Sequence, residues 1–295
     1  MYEAEAFNIF KVSADLPIQH DWAHRLEFYN QCFSRHQLDP HSMPTDMPGI
    51  DCLRFMKQSW AAKKNASIMG QKCPAHHLRL QKLADIFPDA EFIVIWRNPL
   101  DCCNSVLKAK TDSHFFNRLG MLRRTLFGFK KMAEGVVELR KSGRRVHELR
   151  YENLIAYTEN EIRRICDFIG VPYDPKMLDL SHADRSMLPK GNHHNKVRSD
   201  AIHQDDSSPN ILSPKFSAKV QRYSTLWRSQ YVDSSFARVL PVSSPPTTPS
   251  WHELIWDRLI YAYWQAQDAF KRVVLRHIPL PLWQCWRRLM RHGNQ

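Results

Sequence analysis

Glycine is scarce in this chain, nine among 295 residues, and none stands in a Gly-x-x-x-x-Gly-Lys arrangement. A loop that cradles a transferring phosphate with backbone N–H groups and a lysine is therefore missing, which counts heavily against a phosphoryl-transferring nucleotide kinase. The seven cysteines are odd in number, form no CxxC pair, and include the neighbours Cys102 and Cys103. That pattern suits reduced thiols in a reducing compartment better than a disulfide framework. No run is long and apolar enough to span a bilayer, and the N-terminus carries no apolar signal core, so a cytoplasmic protein is expected. Acidic residues are also in deficit, 30 against 42 lysines and arginines, for a formal charge of +12 and a pI near 9.5. Such an excess asks for an anionic partner: a nucleotide, an acidic sugar, a lipid headgroup or nucleic acid. No basic run interleaved with base-stacking aromatics occurs in the globular part, which ranks nucleic acid last. The histidine pairs His76-His77 and His193-His194 have no carboxylate or cysteine at ligand spacing, so no metal is expected.

What is present centres on residues 86–108, IFPDAEFIVIWRNPLDCCNSVLK. Phe92-Ile93-Val94-Ile95-Trp96 is an unbroken β-branched and aromatic run, which predicts a strand buried on both faces of a parallel sheet and ending at Arg97. Pro99 suits the first turn of a following helix, with Asp101 near its positive end and Ser105 a turn further on. An arginine at a strand end, a hydroxyl on the next helix and a helix N-terminus together suit a phosphate in the crevice of an open α/β sheet. The competing arrangement pairs Arg97 with Asp101 at the surface and leaves Ser105 as a solvated helix residue.

Upstream, Ser67-Ile68-Met69-Gly70-Gln71-Lys72-Cys73-Pro74 reads as a second buried strand ending in Lys72; downstream, Arg145 to Leu154 reads as a third that runs into a turn. The order of a lysine-proline strand end, FPDAEFIVIWRNPLDCCNS, and LRYENL followed by an amphipathic helix and DFIGVPYDP strongly resembles the sulfotransferase family over roughly Ser67–Arg198. The resemblance implies a P-loop-NTPase-like α/β fold, a parallel sheet flanked by helices. It also implies a co-substrate, 3′-phosphoadenosine 5′-phosphosulfate (PAPS), and transfer of its sulfuryl group to a hydroxyl or amine without a metal.

Carried over residue by residue, the resemblance places Lys72 at the bridging oxygen between phosphate and sulfate, and Arg97 and Ser105 on the 3′-phosphate. Tyr151 would lie against the adenine, and Lys190, Gly191, Asn192 and Arg198 would form a late basic loop closing over the 3′-phosphate. Glu3 and Glu5 stand about where relatives carry the base that deprotonates the acceptor, with His76 as the alternative base. Each has a plainer reading: a surface lysine, a strand-end tyrosine, solvated terminal carboxylates.

Departures from the family pattern also count. The serine- and glycine-bearing loop after the first strand is absent, so the chain is expected to be truncated or impaired as a sulfotransferase. A non-catalytic relative acting in membrane or protein association is the alternative. Residues 1–240 are expected to form the α/β domain and 241–250 a Pro/Ser linker. Residues 251–295 should form a Trp/Arg-rich amphipathic tail, with Ser250 and Glu253 as a capping box. The stripe Trp251, Leu254, Ile255, Leu259, Tyr263 suits either a membrane surface or packing on the domain or a second subunit.

Overall fold

The computed structural model describes residues 39, 49–70, 72, 74–109, 121–182, 211–232, 234–241 and 248–277. The chain divides into two compact units, one of residues 1–75 with 262–295 and the other of residues 76–261. In the first unit the described residues form helix α1 (Gly49–Lys63), the exposed Lys72 and the C-terminal part of a long helix.

The second unit carries the order α2 (Leu80–Ile86), β1 (Phe92–Trp96), α3 (Pro99–Ala109), α4 (Met121–Lys141), β2 (Val146–Arg150), α5 (Tyr151–Ala156) and α6 (Thr158–Ile169). Then follow α7 (Pro214–Gln230), α8 (Ser235–Val239) and the start of α9 (Trp251–His277). β1 and β2 pair in parallel, with Val94 opposite Glu148 and Trp96 opposite Arg150. Parallel strands need a long crossover, and α3 and α4 lie within it.

One face of this pair is the core. Trp96, Trp227, Phe236, Leu126 and Leu139 are fully or almost fully buried. Phe236, on the short helix α8, is the hub. Its ring lies 4.8 Å from Trp96, 5.8 Å from Trp227 and 6.2 Å from Phe129, the last stacked. Aromatic rings of this size bury more apolar surface per residue than any other side chain, so a five-residue helix suffices to close the core. Glu148 on β2 also points into this layer. Its carboxylate accepts from the Trp96 indole at 2.5 Å and pairs with Arg140 of α4 at 2.5 Å.

Two sequence expectations are corrected here. The β1 strand is not buried on both faces: Val94 and Trp96 are buried, whereas Ile93 is 42 % and Ile95 49 % exposed. On that second face, among the described residues, the cover lies over β2, where Leu149 is buried and His147 packs against Phe168 of α6 at 5.3 Å. A β-branched run reports strand preference, and the number of layers over it is a tertiary matter.

The strand expected over Ser67–Pro74 is not formed in its described part either. Residues 66–70 are irregular and Ile68 is 50 % exposed. Two apolar residues beside a glycine bury too little surface to hold an extended pairing.

The helix ends follow local rules. Gly170 closes α6 in the left-handed conformation at φ +69°, and Gly143 follows α4 at φ +72°. Ser250 and Glu253 form the expected capping box, each backbone N–H bonded to the other's side chain at 3.3 Å. Residues 242–247 of the expected linker lie outside the described residues. The helix after them is tied to the second unit by ion pairs: Glu253 with Arg222, and Asp257 with Lys219 and Arg123.

Candidate active site

Because β1 and β2 run parallel in register, their carboxyl ends lie side by side, with Arg97 just past one and Tyr151 just past the other. The carboxyl edge of a parallel sheet is where open α/β folds place ligands. There the Arg97 guanidinium sits over the Tyr151 ring, 4.5 Å from its centroid. A half-buried cation stacked on a ring is held with its plane fixed.

The turn that delivers Arg97 is built by its neighbour. The Asn98 side chain accepts from the Leu100 N–H at 2.9 Å, the Asn98 carbonyl accepts from the Cys102 N–H at 3.1 Å, and Pro99 occupies the first helical position. This is an asparagine N-cap, and it sets the angle at which α3 leaves the strand. The Asn98 N–H in turn donates to Glu152 Oε1 at 3.1 Å, and Glu152 Oε2 lies 3.8 Å from Arg150 Nε. One carboxylate thus bridges the two strand ends.

Neither Asn98 nor Glu152 was singled out from sequence as a site-building residue. Asn98 had a local signal, an N-cap type directly before proline. Glu152 had none, since its partner stands 54 residues away.

The remaining expected site residues are placed as follows. Ser105 is exposed on α3, on the same side as exposed Asp101, while Pro99, Cys103 and Asn104 form the buried side. Asn104 anchors that side by accepting from the Ile211 N–H at 2.9 Å. Burial pushes the Cys103 thiol pKa far up, which keeps it protonated and unreactive. His76 lies half-buried in a short 3-10 helix, Pro74–Leu78; the neighbouring His77 ring rests against Gly128 of α4, 2.7 Å from where a Cβ there would stand. Lys72 is exposed and belongs to the first unit. Glu3, Glu5, Lys190, Gly191, Asn192 and Arg198 lie outside the described residues. Among the described residues no group of three or more His, Cys, Asp or Glu is arranged to hold a metal ion.

Comparison with known proteins bears on this arrangement. A model of the sulfotransferase family matches residues 11–175. Two curated proteins, omega-hydroxy-beta-dihydromenaquinone-9 sulfotransferase Stf3 of Mycobacterium bovis and of Mycobacterium tuberculosis, are each 30 % identical over 147 residues. The match takes in 44 % of this chain and 37 % of either relative, so the chain spans well under half their length.

Two solved structures are also similar. The sulfotransferase domain of the curacin biosynthetic pathway gives a TM-score of 0.47 at 14 % identity, over 68 % of this chain and 75 % of that one. The sulfotransferase domain of the Synechococcus PCC 7002 olefin synthase gives 0.48 at 18 % identity, over 64 % and 71 %. The family match covers more than half of the sequence and takes in both strands with the turn that carries Arg97, and by that measure the chain belongs to the sulfotransferase family.

Proposed function

We propose that this chain transfers a sulfuryl group from PAPS to a hydroxyl or amine acceptor. The observation that carries the reading is the placement of Arg97, held over Tyr151 at the joint carboxyl edge of two parallel strands and followed by a capped helix. Arg97 would donate to the nucleotide 3′-phosphate through its guanidinium edge, and Ser105, two turns into α3, would donate its hydroxyl to the same group. Tyr151 would lie against the adenine. Lys190, Gly191, Asn192 and Arg198 would close over the phosphate from the late loop.

In the transfer itself the acceptor oxygen or nitrogen forms a bond to sulfur as the bond from sulfur to the bridging phosphate oxygen breaks. Lys72 would neutralise the charge that collects on that leaving oxygen. The acceptor proton would pass to a base, Glu3 or Glu5, with His76 the alternative. The products are the sulfated acceptor and 3′-phosphoadenosine 5′-phosphate. The curated relatives are named for an omega-hydroxy substrate, which makes a hydroxyl the first acceptor class to assay.

The experiment pairs isothermal titration of 3′-phosphoadenosine 5′-phosphate with a radiolabelled sulfate-transfer assay on the full chain. Binding that falls at least about tenfold in Arg97→Ala, the order expected for losing a charge-assisted hydrogen bond, supports the reading. Unchanged affinity in that variant overturns the assignment of Arg97. Nucleotide binding without transfer to any hydroxyl or amine acceptor would favour the non-catalytic alternative.

A further inference from the structure

Helix α9 is turned the opposite way from an ordinary surface helix between Trp251 and Tyr261. Its inward side is polar. Glu253 takes a two-pronged bond from Arg222, with Arg222 Nε 3.0 Å from Glu253 Oε2. Asp257, fully buried, accepts from the Tyr223 hydroxyl at 2.7 Å, pairs with Lys219, and lies 3.6 Å from Arg123 Nε. Tyr261 meets Phe127 of α4 at 5.8 Å. Burial, then the bond to Asp257, pushes the Tyr223 pKa up, so the phenol keeps its proton as a donor. Glu253 and Asp257 are the only acidic residues from Trp251 to Tyr263, and both are spent on these inward pairs.

The outward side is apolar. Trp251 is 64 %, Ile255 48 %, Trp256 63 % and Leu259 53 % exposed. At 100° per residue these four fall within an arc of about 140°, which also holds exposed His252, while exposed Arg258 stands at its edge. A contiguous aromatic and aliphatic face of this kind on a well-anchored helix marks an interaction surface.

Charge selects the occupant. From Arg258 to the last residue the chain carries seven basic residues, Arg258, Lys271, Arg272, Arg276, Arg287, Arg288 and Arg291, against one acidic residue, Asp268. An apolar face rich in tryptophan, without outward carboxylates and continued by a basic segment, matches a bilayer interface bearing negative headgroups.

We propose that the Trp251–Leu259 face of α9 docks the protein on an anionic lipid surface, its tryptophans seated at headgroup level. The ion pairs with α4 and α7 act as the rigid mount that holds this face outward.

The test is flotation of the full chain with phosphatidylcholine vesicles, with and without phosphatidylglycerol, in the absence of any nucleotide or acceptor. It therefore reads independently of sulfuryl transfer. Wild-type protein should float with the anionic vesicles and lose binding at high salt. A Trp256→Ser, Leu259→Ser double variant, exposed at both positions and checked for fold by circular dichroism, should bind at least about tenfold more weakly, given the apolar surface it withdraws.

No flotation of the wild type overturns the proposal, as does equal flotation on neutral vesicles or unchanged binding by the double variant. A wild-type dimer in solution that the double variant dissociates would also overturn it, assigning the face to a second copy of this chain.

Discussion

The Arg97 guanidinium and the Tyr151 ring, 54 residues apart in sequence, are stacked at 4.5 Å because the strands before them are in parallel register. The contact is made by the ring face, and the hydroxyl plays no part in it. Tyr151→Phe should therefore keep Arg97 in place, while Tyr151→Leu releases it. A cation–π contact of this exposure contributes about 0.5–1 kcal/mol, so nucleotide affinity should fall a few-fold in the leucine variant and stay near wild type in the phenylalanine variant. Titration calorimetry with 3′-phosphoadenosine 5′-phosphate measures both.

Asn98 joins the strand end to α3, and its removal should be felt in two places. Asn98→Ala loses the cap on the Leu100 N–H, which costs about 1 kcal/mol of stability. Asn98→Asp keeps the acceptor and should melt near wild type. Because the same turn aims Arg97, the alanine variant should also bind nucleotide more weakly, whereas a cap acting on stability alone would leave affinity unchanged. Thermal melting and titration together separate the two outcomes.

Glu148 is a charge committed to the core of the second unit, with its side chain 2 % exposed, bonded to the Trp96 indole and ion-paired with Arg140. Removing the cation strands a buried carboxylate, which costs more than the pair itself contributes. Arg140→Met should destabilise by about 3 kcal/mol. An Arg140→Met, Glu148→Gln double variant should recover part of that loss, since the amide still accepts from Trp96 and no longer buries a charge. Urea denaturation of the two variants gives the comparison, and equal losses in both would refute the account.

The Arg222–Glu253 pair sets a pH dependence for the mount of α9. The hydrogen bond from Arg222 holds the Glu253 carboxyl below the usual carboxylate range, burial opposes that, and the Ser250 N–H adds to it. A carboxyl held low in the folded state stabilises that state at pH values above its ordinary pKa, and the contribution is lost as pH falls through the lowered value. Wild type should therefore exceed Glu253→Gln in melting temperature at neutral pH, and the gap should close as the solution is acidified below the usual carboxylate range. A gap that stays constant down to strongly acid pH would contradict it.

Much of the site's local chemistry was legible in the chain itself. The strand ending at Arg97, the proline-led helix after it and the Ser250–Glu253 capping box all depend on residues within a few positions of one another. Those are the distances over which backbone geometry and side-chain hydrogen bonding act. The family resemblance read from the ordered motifs belongs to the same level.

Tertiary structure decided the rest, because each remaining feature joins residues far apart in sequence. The stacking of Arg97 on Tyr151 and the bridge from Asn98 to Glu152 arise only once β1 and β2 pair. The Ile93 and Ile95 side chains look like core in the sequence but are exposed, because among the described residues the layer on that face packs on β2. The sequence of α9 determined that one side would be apolar. Which side faces out was decided by Arg123, Lys219 and Arg222, cations on other helices that drew Glu253 and Asp257 inward and left the tryptophans outside.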